Sequence, residues 1–187
     1  MGNLVVTPGA VSGVHVWQHK VFEDTRGKLS KVYVSDSEEF GSTEFQTFEH
    51  FFTFSKMSVF RGMHLQSGIH SSAKIVSLVY GSATDYLLDL RAESSTFGKL
   101  QIEKMNDKIP QSIYVPKGVA HGFLSHSDNT IFSYRYEVAF CQKCDSGISP
   151  KLIEPHIGIA LGNLILSDRD VSMTEEVKEA IHSRSHQ

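Results

Sequence analysis

An all-β fold, a sandwich or jelly-roll barrel with a short C-terminal helix, is predicted by three features of the 187-residue sequence. Short runs rich in β-branched and aromatic residues recur along the chain. Turn signals carrying glycine, proline or asparagine separate them, and no strand pattern alternates with a long helical one. Many short strands at such spacing suit a sandwich or jelly roll, whereas a doubly wound parallel sheet needs helices between its strands.

The candidate strands, in order, fall at 14–17, 29–34, 47–55, 74–80, 83–90, 99–104, 112–115, 121–125 and 130–138. Between them stand Asp24-Thr25-Arg26-Gly27, Tyr80-Gly81-Ser82, Pro116-Lys117-Gly118 and Ser127-Asp128-Asn129, each of turn composition. The clearest helix signal comes last: Ser172-Met173-Thr174-Glu175 reads as a capping box, with Val177 and Ile181 following at helical spacing. The polar tail from Ser183 is expected to fray. With no internal repeat, low-complexity stretch or linker, residues 1–187 are expected to form one domain.

Composition excludes several function classes. At 40% hydrophobic and 21% charged residues, with a formal net charge of -3, the chain has neither a basic arm for nucleic acid nor a membrane-surface patch. No apolar run approaches the roughly 18 residues of a membrane span. The start, Met1-Gly2-Asn3-Leu4-Val5-Val6, lacks the features of a signal peptide, and Val6 stands where myristoylation needs Ser or Thr. A cytoplasmic location is expected. Cys141 and Cys144 form a lone C-x-x-C; without a second pair, neither a zinc site nor a redox motif is expected, and the two are read as incidental.

The histidines point to chemistry. Of ten, two occupy shaped contexts: His64 in Arg61-Gly62-Met63-His64-Leu65-Gln66, after a strand-like run, and His121 in Pro116-Lys117-Gly118-Val119-Ala120-His121-Gly122-Phe123, after a turn. Taken alone, each is as readily a structural hydrogen-bonder as a catalyst. Further landmarks are Phe22-Glu23-Asp24-Thr25-Arg26-Gly27, Ala73-Lys74-Ile75-Val76, the stretch from Leu88 to Gly98, and Leu166-Ser167-Asp168-Arg169-Asp170.

In this order and spacing, from about Val21 to Asp170, the landmarks resemble the dTDP-4-dehydrorhamnose 3,5-epimerase family, cupin enzymes that invert carbons beside the ketone of a nucleotide-linked 4-keto-6-deoxyhexose. The resemblance implies a metal-free, cofactor-free cupin jelly roll that pairs as a homodimer with exchanged N-terminal strands. It implies His64 as the base, Asp170 as its carboxylate partner, Lys74 as the charge beside the enolate, and Tyr134 as a remaining catalytic tyrosine. Arg26 and Arg61 would hold the diphosphate, and Phe22, Gln66 and His121 would line the substrate, His121 with a structural role as its alternative. The residue types suit such a reaction, because removing a proton beside a ketone takes a base of near-neutral pKa, stabilisation of the enolate and an acid to return the proton.

Three departures from the family pattern bear on specificity. The second tyrosine, which returns a proton on the opposite sugar face, falls on Phe140, so inversion at one carbon only is expected. Glu49 and Phe51 replace the amides that suit thymine; a carboxylate only accepts hydrogen bonds, which suits the amino group of cytosine and favours a CDP carrier over GDP or dTDP. Lys31 replaces an acidic residue. The rivals are a metal-dependent cupin, for which His64-Leu65-Gln66 lacks the first metal motif, a nucleotide-sugar 3,4-ketoisomerase, and a non-catalytic sugar-nucleotide-binding cupin.

Overall fold

The computed structural model of the chain describes residues 5–33 and 45–175. Its strands are β1 (Val5–Pro8), β2 (His15–Gln18), β3 (Val21–Asp24), β4 (Gly27–Ser30), β5 (Glu49–Ser55), β6 (Phe60–Gln66), β7 (Lys74–Tyr80), β8 (Ser82–Asp89), β9 (Leu100–Asn106), β10 (Gln111–Val115), β11 (Val119–Ser125), β12 (Thr130–Tyr136) and β13 (Asp145–Gly147). Two short helices follow, α1 (Glu154–Ile157) and α2 (Asp168–Ser172). A six-stranded sheet in the order β1-β2-β10-β7-β12-β5 faces a five-stranded sheet in the order β13-β6-β11-β8-β9, and β3 and β4 form a separate hairpin. Every ladder between these strands is antiparallel, and neighbours distant in sequence cross between the sheets, as a jelly roll requires.

The main core fills the space between the sheets, with Val76, Leu87, Ile113, Val115, Phe123 and Phe132 fully or almost fully buried. The rings of Phe123 and Phe132 meet across it at 4.4 Å between centroids. Truncating either to alanine would cost about 3–5 kcal/mol. A second cluster covers the opposite face of the five-stranded sheet, where Phe60, Leu88, Leu124 and Ile148 pack against Ile153 and Ile157 from the C-terminal segment. Residues 119–125 of β11 are therefore buried on both faces and do not alternate with polar residues.

Most expected strands appear within a residue or two of their predicted bounds. The run at 29–34 is shorter: β4 ends at Ser30, and Val34 lies outside the described residues. The Arg-Gly-x-His motif lies inside strand β6 rather than after one. Gly62 explains its glycine: at φ +141, a Cβ there would stand 2.4 Å from the Cα of Gly122, so two glycines let β6 and β11 approach closely. The helix expected from Ser172 is corrected at its start, because residues 173–175 are not helical; Val177 and Ile181 lie outside the described residues. The helix that does form begins one turn earlier. Its cap is Ser167, whose hydroxyl accepts the backbone N–H of Asp170 at 3.2 Å.

Candidate active site

A cavity of about 490 Å³ opens between the two sheets, a volume suited to a small-molecule ligand. Strand β6 contributes Arg61 and His64, β7 contributes Lys74, β11 contributes His121, β12 contributes Tyr134 and Tyr136, and the α2 segment contributes Arg169 and Asp170. The antiparallel ladders set this convergence. His64 and His121 are direct register partners on β6 and β11, and Tyr136 lies opposite Lys74 on β12 and β7.

The Leu-Ser-x-Arg-Asp motif can be understood residue by residue. Ser167 caps α2 and fixes its first turn. Arg169 reaches Asp145 with a 2.7 Å ion pair, tying the turn to β13. Asp170, 2% exposed, accepts a hydrogen bond from His64 Nε2 at 2.5 Å. Burial alone pushes the Asp170 carboxyl up, but its bonds to His64 and the Ser167 hydroxyl, with the charge of Arg169 nearby, hold it below the usual carboxylate range. With Asp170 ionised, His64 donates its Nε2–H to the carboxylate, and Nδ1 is the ring nitrogen not engaged by Asp170.

A second pair lies deeper. His121 Nε2 meets both oxygens of Asp85 at 3.0 and 2.9 Å, with the His121 and Asp85 side chains 3% and 0% exposed. Burial pulls His121 below its ordinary value against the opposing pull of Asp85, and the nearby Lys74 charge adds to the lowering. Lys74 is buried, donates from Nζ to the carbonyl of His64 at 3.2 Å and has its pKa lowered to about 8 by that burial, with Asp85 and Asp145 opposing. Tyr134 stacks on Phe51 at 5.1 Å, and burial, with the charge of Asp85, raises its hydroxyl well above the ordinary value. The cavity thus holds a carboxylate-oriented imidazole, a buried ammonium and a tyrosine that keeps its proton, which is a set suited to abstracting and returning a carbon-bound proton.

Glu49, Gln66 and Phe140 line a smaller adjoining cavity of about 160 Å³ that shares His64, Phe51, Tyr136 and Arg169 with the first. Glu49 Oε2 accepts the backbone N–H of Phe140 at 2.7 Å, so this glutamate also anchors the segment beside it. Gln66 accepts from Cys141 N at 2.7 Å through Oε1, while its buried Nε2 has no hydrogen-bond partner among the described residues. Two expected substrate residues lie elsewhere. Phe22 and Arg26 stand exposed on the β3–β4 hairpin, Arg26 paired with Asp24 at 2.6 Å, and neither lines the cavity of its own chain. The hairpin bonds only to itself within the described sheets, which removes both side chains from the cleft.

Sequence reasoning missed Asp85 and the Asp145–Arg169 tie. Asp85 had a weak signal, an acid directly before the apolar Tyr86-Leu87-Leu88 of β8; Asp145 had none, because its partner is 24 residues away. The reading of Cys141 and Cys144 as incidental is corrected. They form a disulfide, with His70 beside it. Among the described residues no helix is long and apolar enough to cross a membrane.

The family model described as dTDP-4-dehydrorhamnose 3,5-epimerase matches residues 8–176. The epimerase of that name from Shigella flexneri is 30% identical over 167 residues, covering 87% of this chain and 90% of its own. Its counterpart in Methanothermobacter thermautotrophicus is 28% identical over 166 residues, 86% of this chain and 88% of its own. Among solved structures, the Elizabethkingia anophelis dTDP-4-dehydrorhamnose 3,5-epimerase superposes with a TM-score of 0.85 at 27% identity, covering 95% of this chain and 99% of that one. A 4-keto-6-deoxy sugar epimerase from the novobiocin gene cluster of Streptomyces spheroides gives 0.84 at 25% identity, covering 95% and 89%. With its landmarks, jelly roll and cavity all in agreement, the chain is an isomerase of the epimerase type and belongs to the dTDP-4-dehydrorhamnose 3,5-epimerase family.

Proposed function

We propose that the chain epimerises a nucleotide-diphosphate-linked 4-keto-6-deoxyhexose at C3 alone, in deoxysugar or cell-surface polysaccharide biosynthesis, with CDP as its favoured carrier. The observation that carries this reading is the His64–Asp170 pair at 2.5 Å in the same cavity as Lys74 and Tyr134. His64 Nδ1 takes the C3 proton, and the C–H electron pair moves through the carbonyl to the C4 oxygen. The Lys74 ammonium faces the resulting charge. Tyr134 O–H returns a proton to the opposite face of C3 and recovers its own as His64 releases one to solvent.

Inversion at one carbon rests on Phe140, which has no proton to give where a second tyrosine would act. The CDP carrier rests on Glu49, whose remaining acceptor capacity suits the cytosine amino group. A homodimer with exchanged N-terminal strands accounts for the exposed hairpin, which carries Arg26 and Phe22 toward the second copy's cavity. It also accounts for edge strand β5, whose Phe52 and Phe54 are 50% and 68% exposed.

Proton NMR in deuterated water, with CDP-, dTDP- and GDP-4-keto-6-deoxyglucose in turn, tests the reading. Deuterium entering at C3 only, fastest with the CDP sugar, is expected. Incorporation at both C3 and C5 would overturn the single-carbon reading, and equal rates with all three carriers would overturn the role of Glu49. Phe140→Tyr is expected to introduce slow exchange at C5.

A further inference from the structure

The sharp turn from Cys141 to Cys144 and the 3-10 turn Gly68–His70 bring three ligand atoms together. The Sγ atoms of Cys141 and Cys144 and one ring nitrogen of His70 all lie within 4.8 Å of one another, and all three residues are half-buried. We propose that, with its two cysteines reduced, the chain binds a zinc-class divalent metal through Cys141, Cys144 and His70, with a fourth position open to water.

Geometry supports the assignment. Tetrahedral zinc holds sulfur at about 2.3 Å and nitrogen at about 2.0–2.1 Å, which sets its ligand atoms about 3.4–3.8 Å apart. The three ligand atoms, all within 4.8 Å of one another, are close to that spacing once the disulfide is opened. The backbone is also fixed by bonds that do not involve sulfur. Cys144 N donates to Cys141 O at 3.0 Å, closing the turn, and Ser67 N donates to Cys144 O at 2.9 Å. Gln66 Oε1 accepts from Cys141 N, so the turn is docked on the end of β6, just before the segment that carries His70. A preformed frame of this kind lowers the ordering cost of binding.

The donor set names the metal class. Two thiolates with one imidazole select zinc and its neighbours over magnesium or calcium, which take oxygen ligands. Each cysteine loses its proton on binding, and His70 binds as the neutral ring. The structure joins the same two sulfurs in a disulfide, so metal and disulfide are alternatives. A phosphine reductant interconverts them in balance: disulfide, phosphine and water give two thiols and phosphine oxide.

The position gives the metal a consequence. Phe140 immediately precedes the turn and Asp145 immediately follows it, and both line the smaller cavity. Asp145 also holds Arg169, next to Asp170. Bound metal would thus clamp the wall of the smaller cavity through Phe140 and Asp145.

The test uses the full chain, reduced with a phosphine under argon and titrated with Co²⁺ as a spectroscopic substitute for Zn²⁺. One equivalent is expected to produce a thiolate-to-cobalt charge-transfer band, displaced by Zn²⁺, and to raise the thermal midpoint. Cys141→Ser/Cys144→Ser is expected to abolish the band, and His70→Ala to weaken binding about tenfold or more. Circular dichroism checks that each variant is folded. No charge-transfer band from the folded, reduced wild type would overturn the proposal. So would a band that survives His70→Ala at undiminished affinity.

Discussion

Two histidine–aspartate pairs face each other across one rung of the five-stranded sheet, and they differ in almost everything except composition. His64 is bonded to Asp170 in the first turn of α2, with its side chain 28% exposed. His121 is bonded to Asp85 within the sheet, with its side chain 3% exposed. The first pair joins residues 106 apart in sequence and is part-exposed at the cleft; the second joins neighbouring strands and meets the same cleft almost wholly buried. Access to substrate, rather than the presence of a carboxylate partner, separates a base from a support. The buried pair still shapes the site, because the Asp85 charge acts on both Lys74 and Tyr134.

The contrast can be broken from either side. Removing the base should have the largest effect on turnover: His64→Ala is expected to lower epimerisation about 10³-fold, the scale of lost general-base catalysis, with a smaller stability loss than Asp85→Asn because His64 itself is part-exposed. Asp85→Asn should do the reverse. Leaving His121 and Lys74 without their buried counter-charge is expected to cost about 3 kcal/mol in urea unfolding. Asp170→Asn should fall between, with about a 10²-fold loss in kcat and a small change in stability. A result in which Asp85→Asn spared stability but abolished turnover would erase the distinction.

The smallest expected effect is the dependence on pH. Lys74, lowered to about 8, loses its charge above that pH, so kcat should decline on the alkaline side as enolate stabilisation disappears. Its contribution to stability has the opposite sign. Between about 8 and the ordinary 10.5 the unfolded chain binds more protons at this position, so stability from this group rises with pH. Opposed trends in kcat and urea midpoint across that window are the expected signature.

How much of this was legible in the sequence depends on distance along the chain. Strands such as β7 and β12 are self-announcing, because β-branched and aromatic runs between turn residues have few other ways to fold. The short edge pieces β1, β3 and β13 carry too few residues for a pattern, and ladders to neighbours stabilise them rather than their own propensity. The site was readable where a motif packs its roles into a few residues. The run from Ser167 to Asp170 supplies a cap, an ion pair and a histidine partner together. The capping box at Ser172 misled because Ser167 offers the same chemistry one turn earlier, with its own acid at Asp170. Contacts made only by folding were invisible, as with Asp85 against His121 and with His70, which lies 71 residues before Cys141.

The most direct test of the distinction between the pairs is deuterium exchange into the substrate at C3, compared in His64→Asn and His121→Asn. His64→Asn is expected to abolish wash-in while the chain stays folded. His121→Asn is expected to lower stability but keep exchange within about tenfold of wild type. Exchange that persists without His64, or that vanishes in a folded His121→Asn chain, would contradict the assignment of His64 as the base.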